Sequence, residues 1–388
     1  MKKIFTVLIA LFPVLSVYSA YIPSVSIADL GLIITTLFII IEKFCIKKKL
    51  KFNLNKFLMP IFLFFIYIII SFLIQLILDS GVEILSTIRF LLYILILIMG
   101  FDYFDFKFGI KILKYATLII SIYTIIQFSF FIILHVTLPW RVPGLKVMDE
   151  SFILKEASTY YLTFYRPTGV FLEPTHLVQY IFVYLVYILF RVDSKLDLKN
   201  AIIISTAIVC SGSSLGMFLL IVTWGMWAIQ KAFNRNLKIS FILGSIVACI
   251  ILVIISPIVL KLPYIEKIFT RVITDGGLNG AAVGYRFKSL ELILENHIPT
   301  IYRIIGYGRG TNDVYMTAIP YLIYCNGIIG FGIYLWMMVN LIVKTKYFPR
   351  ALAIIILITS TGSEMIINFG VLFYTMYIIS GEFYRRKV

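Results

Sequence analysis

Charged residues are scarce in this chain. They make up 14% of its 388 residues, whereas hydrophobic residues make up 61% and the mean hydropathy is +0.99. A soluble globular protein usually carries about 25% charged residues, so the composition excludes that class. The net charge of +16 would indicate a nucleic-acid partner in a soluble chain. In so apolar a chain, the first question is instead on which side of a membrane the cations lie.

Cysteines are few as well, and they are not grouped. The sequence contains no C-x-x-C pair, and its four cysteines are Cys45, Cys210, Cys249 and Cys325. Neither a zinc site nor a disulfide framework is indicated by this spacing.

Long apolar runs, by contrast, are abundant. About 20 apolar residues suffice for a helix to cross the roughly 30 Å hydrocarbon layer of a bilayer. Eight runs have about this length: 4–21, 25–41, 57–78, 84–101, 112–134, 170–190, 239–260 and 318–343. The sequence therefore predicts an all-α, polytopic membrane protein that forms a single integral membrane domain over 1–388. The first run is predicted to be a membrane anchor, with a cleaved signal peptide as the alternative.

Two further apolar stretches, 201–230 and 351–379, are each interrupted by small polar residues, at 211–214 and 361–364. If each stretch were one span, the large loop 261–317 would face the cytoplasm, against the positive-inside rule. We therefore expect each stretch to leave and return as two helices, with a polar pocket reached by both breaks. This arrangement gives about twelve transmembrane helices and places both termini in the cytoplasm. Two single, tilted and kinked helices are the alternative.

The basic residues sort by side in this topology. The predicted inner segments hold 23 of the 35 Lys and Arg residues, and 18 of those 23 are lysine. Of the 12 that lie elsewhere, seven are arginine, whose planar fork binds phosphate bidentately. Two large outer loops, about 135–169 and 261–317, are the expected place for chemistry. Avoidance of lysine in translocated loops is the alternative explanation of the skew.

Arg89 is a cation about five residues inside the run that begins at 84. A cation at that depth faces the interior of the helix bundle or extends to the membrane interface. Arg89 is therefore a candidate functional residue.

The densest outer cluster is 166–176, Arg-Pro-Thr-Gly-Val-Phe-Leu-Glu-Pro-Thr-His. Pro174 suits the first turn of a helix, which places Glu173 at or beside the N-cap. Glu173 and His176 are three residues apart and project toward one side of the helix mouth, where either side chain is a candidate proton acceptor. In the alternative interpretation, Glu173 only caps the helix and His176 rests in the headgroup layer.

A second outer cluster, 284–313, contains four glycines close to Arg286 and Arg309. Such glycines permit close backbone approach to a ligand, and successive N–H groups can cradle an anion. A plain flexible loop is the alternative. Because no acidic metal motif lies in the outer segments, arginine rather than Mg²⁺ is expected to neutralise a phosphate substrate. No metal or other cofactor is predicted.

Several of these motifs resemble, in order along the chain, the Wzy-type oligosaccharide repeat-unit polymerases, of the group that includes O-antigen ligases. The motifs are 166–176, Ser-Gly-Ser-Ser-Leu-Gly at 211–216, Gly-Tyr-Gly-Arg-Gly at 306–310 and Asn-Gly-Ile-Ile-Gly at 326–330. The resemblance implies a GT-C-like helical fold and metal-independent glycosyl transfer at the outer face of the bacterial cytoplasmic membrane. A glycan on undecaprenyl pyrophosphate would be transferred to the next lipid-linked repeat unit, which builds a surface polysaccharide such as O-antigen or capsule.

This hypothesis assigns roles to the candidate residues. Glu173 or His176 would activate the acceptor hydroxyl, and the pyrophosphate would be bound by the outer arginines Arg89, Arg166, Arg286 and Arg309. The predicted partners are the lipid-linked donor and acceptor, the bilayer, a chain-length regulator and a flippase, and not nucleic acid. One alternative is an O-antigen ligase-type transferase. Another is a lipid-linked oligosaccharide flippase or other secondary transporter, which would use the charges of Asp29, Arg89 and Glu364.

Overall fold

The computed structural model describes residues 1–22, 24–43, 56–148, 165–192, 196–233, 298–312, 315–364 and 370–387, with residues 289, 293 and 368. It is 75% helical. The helices in chain order are α1 (Lys2–Leu15), α2 (Ile27–Ile41), α3 (Leu58–Ile77), α4 (Ile84–Gly100), α5 (Phe106–Leu134), α6 (Pro174–Phe190), α7 (Leu198–Cys210), α8 (Ser214–Phe233), α9 (Thr300–Ile305), α10 (Ala318–Lys344), α11 (Tyr347–Thr359) and α12 (Gly370–Lys387). A short antiparallel hairpin, β1 (Ser19–Ile22) and β2 (Val25–Ser26), joins α1 to α2.

Four of the described helices are long and apolar enough to cross a membrane. They are Leu58–Ile77, Ile84–Tyr103, Phe106–Leu134 and Ala318–Lys344. Shorter apolar helices accompany them at Ile27–Ile41, Pro174–Phe190, Leu198–Cys210 and Tyr347–Thr359. The prediction of an all-α membrane protein is confirmed at this level. The predicted run 239–260 lies outside the described residues.

Two helix boundaries differ from the apolar runs, and both have a local cause. α1 ends at Leu15, before the first run is complete, because the chain turns there into the β1–β2 hairpin. α5 begins at Phe106, six residues before the predicted run. The Asp105 side chain caps it by accepting a hydrogen bond from Phe108 N at 3.0 Å, which satisfies an orphan donor of the first turn.

α6 lies at the centre of the packing. Apolar side chains cover all its faces, and nearly every residue from Leu177 to Phe190 is buried, as expected of a helix without a polar side. The Tyr180 hydroxyl donates to Ala10 O of α1 at 3.1 Å, and the Tyr374 hydroxyl of α12 donates to Gln179 O at 3.2 Å. Helices from both ends of the sequence therefore pack on one central helix.

Both interrupted stretches form two separate helices. α7 ends at Cys210 and α8 begins at Ser214, with Gly212 between them at φ +60°. α11 and α12 are antiparallel, since Lys346 N, just before α11, donates to Glu382 near the end of α12 at 3.2 Å. The small polar residues thus end helices, as the sequence predicts. The number of membrane crossings stays a prediction.

The loops that the charge pattern assigns to the outer side meet at one end of the bundle, which we call the arginine end. It comprises the β1–β2 hairpin and the segments 78–83, 135–148, 165–173, 306–312, 315–317 and 360–364. Hydrogen bonds between distant positions hold it: Ser19 N to Lys146 O (2.8 Å), Glu83 N to Arg309 O (2.7 Å), Ala318 N to Ser363 O (3.1 Å) and Tyr18 Oη to Val170 O (3.5 Å).

The segments assigned to the inner side meet at the opposite end, which we call the lysine end. It comprises 42–43, 56–57, 101–105, 344–346 and 382–387. Its hydrogen bonds also join distant positions: Lys43 Nζ to Met99 O (2.8 Å), Asn340 Nδ2 to Lys56 O (3.1 Å) and Asp105 N to Thr6 Oγ1 (3.0 Å). The loops named here therefore lie at two opposite ends of the bundle, and the side of the membrane that each end faces stays a prediction.

Candidate functional site

A cavity of about 230 Å³ lies at the arginine end. Its polar lining comes from α2, α4, the loop before α10 and the break between α11 and α12. The charged and hydrogen-bonding residues on its wall include Ser26, Asp29, Arg89, Tyr93, Arg309 and Asn368. Two of the four predicted pyrophosphate ligands, Arg89 and Arg309, thus line one cavity although they are distant in sequence.

Arg309 is held inside the protein, with only 4% of its surface exposed. Its Nη2 donates to Asn368 Oδ1 at 2.8 Å. Its guanidinium lies 4.2 Å from the ring centroid of Phe90 and 5.2 Å from that of Tyr321, a distance at which aromatic faces attract cations. The side chain is therefore fixed in a largely dehydrated setting.

The loop that carries Arg309 lies against a break in α10. Gly327 interrupts that helix with φ +63° and ψ −174°, which leaves nearby carbonyls without intrahelical partners. The loop supplies donors to two of these carbonyls: Tyr307 N donates to Tyr324 O at 2.9 Å, and Gly308 N donates to Cys325 O at 3.0 Å. A Cβ on Gly306 would meet the Cys325 backbone. Glycine is thus required there by backbone contact.

These contacts limit the prediction that successive N–H groups of the cluster 284–313 cradle an anion to amides other than those of residues 306–308. The amides of Tyr307 and Gly308 already donate to α10, and Gly306 N donates to Tyr302 O at 2.8 Å. For the described residues 306–308, hydrogen bonds to α10 argue against the alternative of a plain flexible loop. The glycines allow close approach to α10, and the loop presents the Arg309 side chain to the cavity.

Two residues of α3 that the sequence analysis did not single out secure this arrangement. Gln75 is 3% exposed, and its Nε2 lies 3.1 Å from each of the carbonyl oxygens of Ile305, Gly306 and Cys325. The Tyr67 hydroxyl donates to Asn326 O. The only sequence signal was the presence of polar side chains within an apolar run.

Arg89 reaches the cavity from the first turns of α4. It is half-buried, and its Nη2 donates to Ser24 O of the hairpin. The guanidinium is therefore directed toward the arginine end and away from the middle of the helix. This placement agrees with the prediction of an inward-facing or interfacial cation.

Asp29 supplies negative charge to the same wall. It occupies the N3 position of α2 and forms a capping box with Ser26, whose Oγ lies 2.8 Å from Asp29 Oδ2. Its other oxygen accepts a hydrogen bond from the Tyr93 hydroxyl at 2.6 Å. Among the lining residues, two cationic side chains thus face one anionic side chain, which leaves a single net positive charge for an anion.

The other two predicted pyrophosphate ligands are not among the residues that line this cavity. Arg166 lies on a segment that packs against α5. The tilted rings of Tyr165 and Phe131 have their centroids 4.8 Å apart, and Gly169 exchanges hydrogen bonds with Gln127 at 2.9 and 3.1 Å. Arg286 lies outside the described residues. The break at 211–213 does not reach the cavity either, whereas Asn368 brings the second break to it.

Glu173 and His176 lie at the start of α6, at the arginine end. Glu173 is the N-cap residue, but its side chain makes no capping hydrogen bond, so capping does not account for the carboxylate. Glu364, in the loop after α11, is a second carboxylate nearby. Burial and, to a smaller extent, the negative charge of Glu173 together raise the pKa of the Glu364 carboxyl to about 7. The structure thus adds Glu364 to the predicted pair.

Within the described ranges, no group of three or more His, Cys, Asp or Glu side chains is placed to hold a metal ion. The polar wall of the cavity instead presents guanidinium, carboxylate, hydroxyl and amide groups. Such a wall suits an oxyanion ligand held by hydrogen bonds and charge.

Comparison with known proteins adds no relative to this picture. No family model matches the chain, and no curated protein matches it.

Proposed function

We propose that this protein polymerises undecaprenyl-pyrophosphate-linked oligosaccharide repeat units into a surface polysaccharide by metal-independent glycosyl transfer. The observation that carries the proposal is the cavity that Arg89 and Arg309 share at the arginine end. The motif resemblance points to the same reaction, since Arg309 and Glu173 belong to the motifs that carry it. The arginine end would face outward from the bacterial cytoplasmic membrane, with about twelve crossings, a GT-C-like fold and both termini in the cytoplasm.

The chemistry of the cavity suits a diphosphate leaving group. When the glycosidic C–O bond breaks, negative charge develops on the departing diphosphate, and preorganised guanidinium donors stabilise it. Arg309 is well placed for this role because its burial reduces screening by water, and charge interactions strengthen as the local dielectric falls. The bidentate geometry of arginine matches phosphate oxygens.

The carboxylates near α6 supply the proton acceptor in this proposal. The acceptor sugar hydroxyl loses its proton as it attacks the anomeric carbon, and Glu173 is the base, with His176 as the alternative. Glu364 shares the environment of Glu173 and titrates near neutral pH, the range in which a general acid or base works best. The cavity and the carboxylates lie at one end of the bundle, where donor and acceptor would meet.

One specific observation disfavours the transporter alternative. Transporters bind their substrates near the bilayer midplane, at broken helices. Asp29 is instead the third residue of α2, and Arg89 is the sixth residue of α4. Both charges therefore lie at helix ends, in a cavity among loops.

The test is polymer formation by the purified full-length protein in lipid nanodiscs, supplied only with its lipid-linked repeat units. A polymerase yields a ladder of products in gel electrophoresis, and we expect that ladder to survive EDTA. A ligase-type transferase would give no ladder without its separate acceptor, and a transporter would give no new glycosidic bond. Loss of the ladder on adding EDTA would overturn the metal-independent mechanism.

A further inference from the structure

Asp29 is the only acidic residue among the described residues that line the cavity at the arginine end. Acidic groups weaken the binding of anions to a positive site, because like charges repel. An acid on the wall of a site for diphosphate therefore needs an explanation. Capping of α2 accounts for one of its oxygens, but not for its position beside two arginines.

The carboxylate is fixed in place by three hydrogen bonds. Oδ2 accepts from Ser26 N at 3.1 Å and from Ser26 Oγ at 2.8 Å, and Oδ1 accepts from Tyr93 Oη at 2.6 Å. Asp29 is 6% exposed. Because Ser26 is the N-cap residue of α2 and Tyr93 belongs to α4, the carboxylate is held between the two helices at a fixed position on the wall of the cavity.

We propose that Asp29 sets the affinity of the cavity by repulsion, so that the spent lipid diphosphate leaves after transfer. This proposal rests on the proposed function. In the donor, the diphosphate is a diester with two negative charges. Transfer breaks the bond between the anomeric carbon and the phosphate oxygen, forms a new bond to the acceptor oxygen and passes the hydroxyl proton to the base. The leaving diphosphate keeps the bonding electrons, so its negative charge increases.

The repulsion from Asp29 therefore acts more strongly on the product than on the donor. With two arginines and no acid, the cavity would hold the more highly charged product more tightly, and each turnover would wait for its release. Asp29 lowers the net charge of the lining from +2 to +1 and weakens that retention. In this role Asp29 is a positioning and affinity-setting residue, and it takes no part in bond breaking.

The test uses inorganic pyrophosphate and orthophosphate as probes. Their dissociation constants are measured by calorimetry on the full-length protein in nanodiscs at constant ionic strength. We expect Asp29→Asn to tighten pyrophosphate binding by more than about tenfold, because a unit charge at about 10 Å changes affinity by about tenfold for each charge on the probe at an effective dielectric constant of about 20. The gain should be smaller for orthophosphate, which carries less charge. In the ladder assay, the first turnover should be faster than in the wild type, because less repulsion opposes the charge that develops on the diphosphate, while later turnovers should slow.

Tyr93→Phe is the matched control, because it removes one hydrogen bond from Asp29 and keeps the charge. It should not tighten pyrophosphate binding, whereas Asp29→Ser, a second neutral variant, should do so. Unchanged or weaker pyrophosphate binding in both neutral variants, or an equal gain for both probes, overturns the proposal and makes Asp29 a structural residue. If wild-type protein fails to bind pyrophosphate, or if Arg309→Ala binds it equally well, the proposed function itself fails. The two failures are therefore distinguishable.

Discussion

The two ends of the helix bundle both carry arginines, but they place them in opposite settings. At the lysine end, Arg385 and Arg386 both form ion pairs with Glu382, an acid of the same helix, at 2.6 and 2.9 Å. At the arginine end, Arg309 is buried beside aromatic rings, and its Nη2 donates to the amide oxygen of Asn368 in the wall of a cavity. The arginines of one end are thus bound to a carboxylate of their own helix, whereas Arg309 lies among aromatic and amide groups that line a cavity.

A glutamate at each end shows the same contrast. Burial and the charge of Glu173 raise the pKa of Glu364 at the arginine end. Burial also raises the pKa of Glu382 at the lysine end, but hydrogen bonds from Arg385, Arg386 and Lys346 N outweigh it, so that pKa lies below its ordinary value. The Glu364 carboxyl thus lies near another acid, whereas hydrogen-bond donors surround the Glu382 carboxylate.

The largest effect is expected when a guanidinium is removed from the arginine end. Arg309→Ala should reduce polymer formation by about 10²–10³-fold, the usual cost of losing one preorganised donor to a developing oxyanion. Arg309→Lys keeps the charge but lacks the fork, so it should recover only part of the rate. Rates are measured from the product ladder with purified protein.

Arg303→Ala is the matched control for this experiment. Arg303 lies on α9, six residues from Arg309, and is exposed. Its loss should leave the ladder unchanged. Equal ladders from Arg309→Ala and Arg303→Ala would show that burial in the cavity confers no special role on Arg309.

A second, smaller effect should follow from moving Arg309 without removing it. Gly306→Ala places a Cβ against the Cys325 backbone. This clash can be relieved only if the loop moves away from α10. Misplacement of a catalytic group by about 1 Å can cost about 10²-fold, so we expect a loss between about tenfold and 10²-fold. Gly332→Ala is the control, since a Cβ there meets nothing within 4 Å. A Gly306→Ala protein as active as Gly332→Ala would contradict the role of the loop contact.

Much of the fold follows from local sequence features. The runs 57–78 and 84–101 predict α3 and α4 because twenty apolar residues have few alternatives to a buried helix. The order of apolar runs and loops predicts which loops share an end, and the positive-inside rule adds the prediction that the lysine end faces the cytoplasm. Arg89 could be identified for a similar reason, because a cation inside an apolar run is costly unless something compensates for it.

The details of the site could not be predicted, because they depend on contacts between distant positions. Gln75 donates to carbonyls more than 200 positions away, and Asp29, which the sequence offers only as a charge for a transporter, lines the same cavity as Arg309. The glycines of 306–310 indicate close backbone approach, but the sequence does not say whether the approach is to a ligand or to α10. Arg166 shares the arginine end, and only packing shows that it lies outside the lining of the cavity.

The difference between Glu364 and Glu382 should be visible in how the stability of the protein depends on pH. The pKa of Glu364 is raised to about 7 in the folded protein, so its contribution to stability is fully present at low pH and is lost as the pH rises through 7. Glu364→Gln removes this titration. The melting temperature of the wild type should therefore fall relative to that of the variant between pH 5 and pH 8. The fall should be about 2–4 °C for each kcal/mol by which the free energy of unfolding decreases.

Glu382→Gln should show the opposite sign in the same measurement. The pKa of Glu382 is lowered in the folded protein, so its stabilising effect is present at neutral pH and is lost as the pH falls through that lowered value. The variant should be less stable than wild type at pH 8, and the difference should shrink in acid. If both variants changed with pH in the same direction, the two ends would not differ in their treatment of carboxylates.

The smallest effect is expected at the lysine end. Arg385→Ala removes one partner of Glu382, but Arg386 and Lys346 N still donate to that carboxylate, at 2.9 and 3.2 Å. Partly exposed ion pairs contribute about 1 kcal/mol or less, so the melting temperature should fall only slightly and the ladder should stay at its wild-type level. The reason is redundancy, since the lysine end offers Glu382 several donors, whereas Arg309 has no second residue on its loop to replace it. A loss of polymer in Arg385→Ala comparable to that in Arg309→Ala would mean that arginine matters equally at both ends, and the division between structural and ligand-binding cations would have to be abandoned.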